Sequence, residues 1–335
     1  MLTVAKRLLG RQIVGWIRRM LHSPIRIARR YFEYDMRRLV KYSGVFSQET
    51  REQCRAYVIM QYHIVEKGLT MPNRRLGFGK DAVRSLMASI AAFEDKYKSD
   101  SQVTHAIGVL KAYWELHSNA GYISSADPFW RELGLFLRKY PAVESARQLH
   151  FTRKDFYKDR DTEFPRFAFA RHTTRHYSDK PLDVSLLRKA VEVAISTPTA
   201  CNRQHCRVYC VSDKKLMADI LQIQDGSRGF GHLADKLLIV TANLEDISIM
   251  RERNDLFING GMFLMNLCYS LFYHEIAHCI LNWSRTPEDD MRFRAIAGIK
   301  ESETVMAILT CGVPPEEFDV CASLRKPKSE YFVEL

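Results

Sequence analysis

The chain has 335 residues, 46% of them hydrophobic and 27% charged, which excludes a disordered or fibrous protein and allows two folding units. Its formal charge of +11 is concentrated, since residues 1–45 carry eleven Lys and Arg against two acidic side chains; the remainder is nearly neutral and no nucleic acid partner is expected. Eight cysteines form no CxxC pair, which argues against a disulfide framework or zinc ribbon and favours a reducing cytoplasm.

In chain order, Leu9, Ile13, Ile17 and Leu21 recur one helical turn apart among arginines and predict a basic amphipathic helix ending at Pro24. Two readings are open for residues 1–30: a helix on the anionic inner face of a membrane, or a solvated helix packed on the protein. The arginines leave no uninterrupted apolar run, so a signal peptide is not expected. Residues 46–150 read as a helical region, with amphipathic helices over Ala82–Tyr97 and Val103–His117. Within it, the stretch from His63 through Glu66, Lys67 and Gly68 to Leu69 either covers a ligand or is a helix capped at Gly68 and followed by an irregular connection; the latter is the favourite. The segment from Asp127 to Asp161 reads as an inter-domain connection containing a helix.

After it the texture changes. A helix over Leu186–Ile195, strands over Arg207–Val211, Leu237–Thr241 and Val305–Cys311, and a long buried helix over Phe257–Tyr273 predict an α+β domain with a central sheet over residues 160–335. Asn266, His274, Glu275 and His278 interrupt the most apolar run, so no transmembrane span is expected. Gly226, Gly229 and Gly231 read as a mobile loop, since no GxGxxG follows a strand and no Walker-type loop is present.

Three groups of residues carry candidate chemistry. Arg171 and Arg175 bracket Thr173, and if the turn enters a helix their side chains converge on one phosphate. Asn202 and Gln204 come after Pro198 and Thr199 on a loop, where their amides suit a heterocycle rich in carbonyls and ring nitrogens. His274, Glu275 and His278 match the zincin pattern, a five-residue match that arises by chance on the order of once per hundred chains of this length. A catalytic zinc also needs a third ligand and an open position, so no metal is expected there, and zinc peptidase is the rival reading.

The first two groups, together with three motifs nearer the C-terminus, resemble the nitroreductase family. Arg171, Thr173, Arg175 and Tyr177 are similar to its Arg-x-Ser-x-Arg-x-Phe/Tyr motif, with Thr173 for the serine. Pro198, Thr199, Asn202 and Gln204 are similar to its Pro-Ser-x-x-Asn-x-Gln-Pro-Trp loop, with His205 and Cys206 for Pro-Trp. Asn259-Gly260-Gly261 resembles the Asp-x-Gly helix, Gly312-Val313-Pro314 the Gly-Tyr-Pro turn, and Arg325-Lys326-Pro327 the C-terminal basic motif. Where the family commonly has Gly-Leu-Gly, a small residue and Cys, this chain has Glu275-Ile276-Ala277-His278-Cys279.

The resemblance implies an FMN-dependent homodimer that takes a hydride from NADH or NADPH and passes electrons to a small-molecule substrate. By the same resemblance, Arg171, Thr173, Arg175 and Arg325 hold the phosphate of FMN, and His172 beside them binds the cofactor. Pro198, Thr199, Asn202 and Gln204 line the isoalloxazine, and the backbone at Ile276 and Ala277 lies against the ring, with no catalytic side chain required. The helical extension is similar to that of nitroreductase-like proteins of surface-polysaccharide synthesis, which implies a specialised substrate; a non-catalytic flavin-binding or membrane-associated module is the remaining alternative.

Overall fold

The computed structural model describes residues 23–42, 44–247 and 250–335; the helix expected around Leu9–Leu21 lies outside them. Pro24 begins a helix, α1 (Pro24–Tyr42), a place proline suits because a first-turn residue needs no amide hydrogen. Its Asp35 is gripped by Arg253 through two bonds of 2.8 Å, which fastens α1 to the second half of the chain.

Four helices form the first core: α2 (Arg51–Leu69), α3 (Lys80–Lys96), α4 (Ser101–Asn119) and α5 (Pro128–Leu137). Thr50 and Gln53 close a capping box at the start of α2, and Asp100 and Asp127 cap α4 and α5, so each of these starts is set locally. Val58, Val65, Leu86, Ile90, Phe93, Leu110, Tyr113 and Phe129 pack between the four. The helix within the expected inter-domain connection, α5, is thus part of this core: its apolar face carries Phe129, Trp130, Leu133 and Phe136 inward.

Gly68 is not a cap. Helix α2 runs through it to Leu69, with Thr70 as C-cap, and the ring of Phe78 seats directly on it, so that an added Cβ would lie 2.1 Å from that ring. Alanine's helix propensity, worth about 1 kcal/mol over glycine, is outweighed by overpacking of about 1–3 kcal/mol, because Phe78 is itself held by Tyr113 at 5.0 Å between ring centroids. Gly68→Ala is therefore expected to lower the melting temperature, and an unchanged or higher melting point would show that Phe78 can move aside.

The second half is α+β. Strands β1 (Leu149–Thr152) and β6 (Glu317–Val320) form an antiparallel pair, and β1 is succeeded by two short helices, α6 (Arg153–Tyr157) and α7 (Phe164–Ala170). The main sheet is antiparallel in the order β2 (Cys206–Val211), β3 (Lys236–Asn243), β5 (Glu303–Gly312), β4 (Ala277–Asn282). In β3, Leu237 and Ile239 face a core with α9 (Lys214–Gln224) and α11 (Pro287–Ala297), while Leu238 and Val240 face α8 (Val184–Ala194) and α10 (Asp255–Tyr273). This is the period of two expected of a strand, with both faces covered by helices. Helix α10 is, among the described residues, long and apolar enough to cross a membrane, but here Leu267, Cys268 and Leu271 lie buried against the sheet.

Candidate functional site

The segment after α7 does not enter a helix. Arg171 caps α7 with extended backbone, and residues 171–178 run irregularly beside the edge strand β4, where the Thr174 amide donates to the His278 carbonyl at 3.0 Å. The two arginines are therefore spread along β4 rather than stacked one helical turn apart. Tyr177 anchors the run, its buried hydroxyl 2.7 Å from the Thr310 hydroxyl, and Gly312 leaves room for its ring.

Arg175 is only 8% exposed. Its Nη1 donates to the Cys321 thiol at 3.4 Å and its guanidinium lies 5.8 Å from the centre of the Phe230 ring; among the described residues no carboxylate lies within salt-bridge distance. Arg171 is half-buried, and its Nε is enclosed without a hydrogen-bond partner. Leaving a charged donor so enclosed costs free energy unless a ligand supplies the acceptor. His172 is half-buried beside them, its pKa lowered by burial and then by the charges of Arg171 and Arg325. Thr173 is half-buried between the two arginines, and Arg325 is exposed at the rim. The structure thus gathers Arg171, His172, Thr173, Arg175 and Arg325 around the start of β4, at its Ala277 end.

Ile276 and Ala277 stand at that same end, both fully buried. Glu275 before them has φ of 55°, a left-handed conformation that favours glycine. Loss of the family's first glycine therefore does not remove the turn: the carboxylate is held by Arg160 at 2.6 Å and Arg153 at 3.2 Å, contacts that offset the cost of the backbone. The zincin spacing, in contrast, dissolves in the fold. Helix α10 ends at Tyr273, His274 is its cap, and His278 lies on β4 with Nδ1 donating to the Ile276 carbonyl at 2.9 Å, so the two histidines do not share a helical turn.

Pro198, Thr199, Asn202 and Gln204 are elsewhere. Their loop leads into Cys206, which pairs with Ala242, whereas Ala277 pairs with Gly312 and Lys236 with Cys311; the loop and the arginines thus mark opposite ends of the sheet, separated by about 20 Å of strand. Cys201, Asn202 and Gln204 all have positive φ, a clustering of left-handed non-glycine residues that is costly unless imposed by its surroundings. Thr199 accepts the Gln204 amide at 3.0 Å, and the exposed Gln204 side chain donates to the Asn202 side-chain oxygen at 3.1 Å. Buried His205, at the place of the family's proline, accepts a bond of 2.9 Å from Asn259 on α10, tying the loop to the Asn259-Gly260-Gly261 stretch within that helix.

Sequence reasoning missed the part played by α2. The Thr70 carbonyl accepts from His176 Nε2 at 2.7 Å, and the Thr70 hydroxyl lies 3.4 Å from Cys321, so the stretch from His63 to Thr70 abuts the arginine segment. It also missed Phe230: the expected mobile glycine loop holds this ring buried over Arg175. The density of charge around Lys67 and Gly68 was the available signal.

Residues 168–226 match the nitroreductase family model. That segment is similar to the nitroreductase family. Solved structures of similar shape include a nitroreductase family protein from Streptococcus pneumoniae (19% identity, TM-score 0.46, covering 52% of this chain and 100% of that one). An FMN-dependent nitroreductase from Clostridium difficile shares 16% identity at a TM-score of 0.41, over 49% of this chain and 92% of its own. A nitroreductase-type protein from Desulfovibrio desulfuricans, in complex with FMN, shares 17% identity at 0.45, over 52% and 98%. No curated protein matches the chain. The nitroreductase-like match covers the segment that carries Arg171, Thr173, Arg175, Asn202 and Gln204, and does not reach the helical core.

Proposed function

We propose that the chain is an FMN-dependent oxidoreductase acting on a small-molecule substrate with NADH or NADPH as electron donor. The observation that carries this reading is the pair of enclosed arginines: Arg175 is 8% exposed with no carboxylate partner among the described residues, and Arg171 has an orphaned Nε. Cations so placed fit a dianionic phosphate. The flavin, when bound, supplies the hydride and electron chemistry; Arg171, Thr173, Arg175 and Arg325 would hold its phosphate end, and the buried turn at Ile276 and Ala277 would exclude water beside its ring.

The loop of Pro198, Thr199, Asn202 and Gln204 would meet that site from a second copy of the chain, since within one copy it stands at the other end of the sheet. An apolar face on α10 supports such pairing, with Ile258 at 59%, Met262 at 40% and Tyr273 at 47% exposure. A specialised substrate, as in surface-polysaccharide synthesis, agrees with the helical core abutting the site. The absorption spectrum of the purified protein tests the reading: a colourless chain that cannot be reconstituted with FMN overturns it. Asn202→Ala is expected to shift the flavin spectrum or slow its reduction by NAD(P)H while changing FMN retention less than about three-fold, because an amide on a ring contributes less than a charge on a phosphate. Loss of FMN altogether in this variant would place Asn202 in the phosphate site instead.

A further inference from the structure

The helical core adds a further cation, Lys67, beside the arginines. Lys67 lies in the last turn of α2, three residues before Thr70, whose carbonyl and hydroxyl fasten that helix end to His176 and Cys321. Lys67 is half-buried; its carbonyl accepts from Thr70, while its ammonium makes no ion pair or hydrogen bond among the described residues. The acid next to it, Glu66, is fully buried but already engaged by His105 at 2.8 Å and His63 at 3.4 Å, which leaves it turned toward α4. The Thr70 hydroxyl and Arg175 Nη1 both lie 3.4 Å from the Cys321 thiol, which brings the end of α2 to Arg175; burial, and then the charge of Arg175, hold the Lys67 ammonium below the usual lysine pKa. A lysine in a last helical turn commonly just faces the helix carbonyls; here its neighbourhood with Arg175 gives that placement a cost that a solvated lysine avoids.

We propose that Lys67 is a phosphate-binding residue, delivered by the helical core to complete, with Arg175, the anion site formed at the start of β4. This rests on the flavin reading above, and it makes the helical core part of the cofactor site rather than an appendage. A phosphate placed between the two cations removes their repulsion and satisfies donors that the protein leaves open. The core would then report cofactor occupancy, because Lys67 and Thr70 sit on one helix end.

The test compares FMN with riboflavin, which lacks the phosphate, by fluorescence titration of the full chain and its variants. Lys67→Met is expected to raise the FMN dissociation constant about ten-fold and to leave riboflavin unchanged, while Lys67→Arg restores most of the FMN affinity because the charge is kept. In the absence of flavin, Lys67→Met is expected to raise the melting temperature, since it removes one of two like charges; a lysine with a purely structural role would give a fall. Wild-type affinity for FMN in Lys67→Met, or an equal loss for FMN and riboflavin, overturns the role of Lys67 and leaves the flavin reading standing. A wild-type chain that binds no FMN overturns both.

Discussion

Replacing Arg171 and Arg175 together by alanine is expected to raise the FMN dissociation constant about 100-fold or more. A charge-assisted bond contributes about 1.5–3 kcal/mol, and two donors sharing one ligand combine incompletely, so a loss of about 3–4 kcal/mol is the reasonable sum. The effect should fall on binding and not on folding. Arg175 makes no ion pair among the described residues; it contacts the thiols of Cys321 and Cys279 and the ring of Phe230, and its removal relieves Lys67 of a like charge. Equilibrium titration with FMN, beside a thermal melt without it, separates the two. Unchanged affinity in a folded double variant would refute the phosphate site.

Acidification should destabilise the protein through His278 by about 3 kcal/mol between pH 6.5 and 4. This histidine is 3% exposed, its Nδ1 is committed to the Ile276 carbonyl, and its Nε2 is buried without a partner. Burial, the leading cause, pushes its pKa down to about 4, with the Arg171 charge acting in the same direction. The unfolded chain takes up this proton near pH 6.5 while the folded chain resists it until about 4, so the stability is fully present above 6.5 and is lost as pH falls through the interval. Other histidines, among them His172 and His176, also have lowered pKa values, so the contribution is read as a difference between two proteins. Denaturant unfolding of His278→Asn, which keeps a donor to the Ile276 carbonyl and does not titrate, should show a shallower loss of stability from pH 7 to 5 than the unsubstituted chain. Parallel curves would mean that His278 is protonated in the fold or reaches solvent.

Much of the architecture was legible in the sequence because it rests on local rules. A short continuous apolar run over Leu237–Thr241 marked β3, and apolar spacing marked α3, α4, α8 and α10; each of these elements appears within a few residues of its expected place. The two arginines and the Asn-Gln loop were also visible, since they are short contiguous patterns and the nitroreductase family carries similar ones. Strand β4 was not, because its Ala277–Asn282 sequence comes after α10 and a turn at Glu275, and a left-handed glutamate leaves no sign of a break where glycine would.

Composition and spacing alone determined that this is an α+β chain behind a helical region, with paired arginines suited to phosphate and a basic front segment. Only the tertiary structure decided what surrounds those arginines. Their enclosure without carboxylate partners, the docking of Thr70 on His176, the approach of Lys67 from a helix more than a hundred residues earlier in the chain, and the separation of the Asn202 loop to the far end of the sheet all depend on strand order and helix packing. A propensity or a motif is set by neighbours in sequence, whereas the free energy of a buried charge is set by whatever the fold brings within a few ångströms of it.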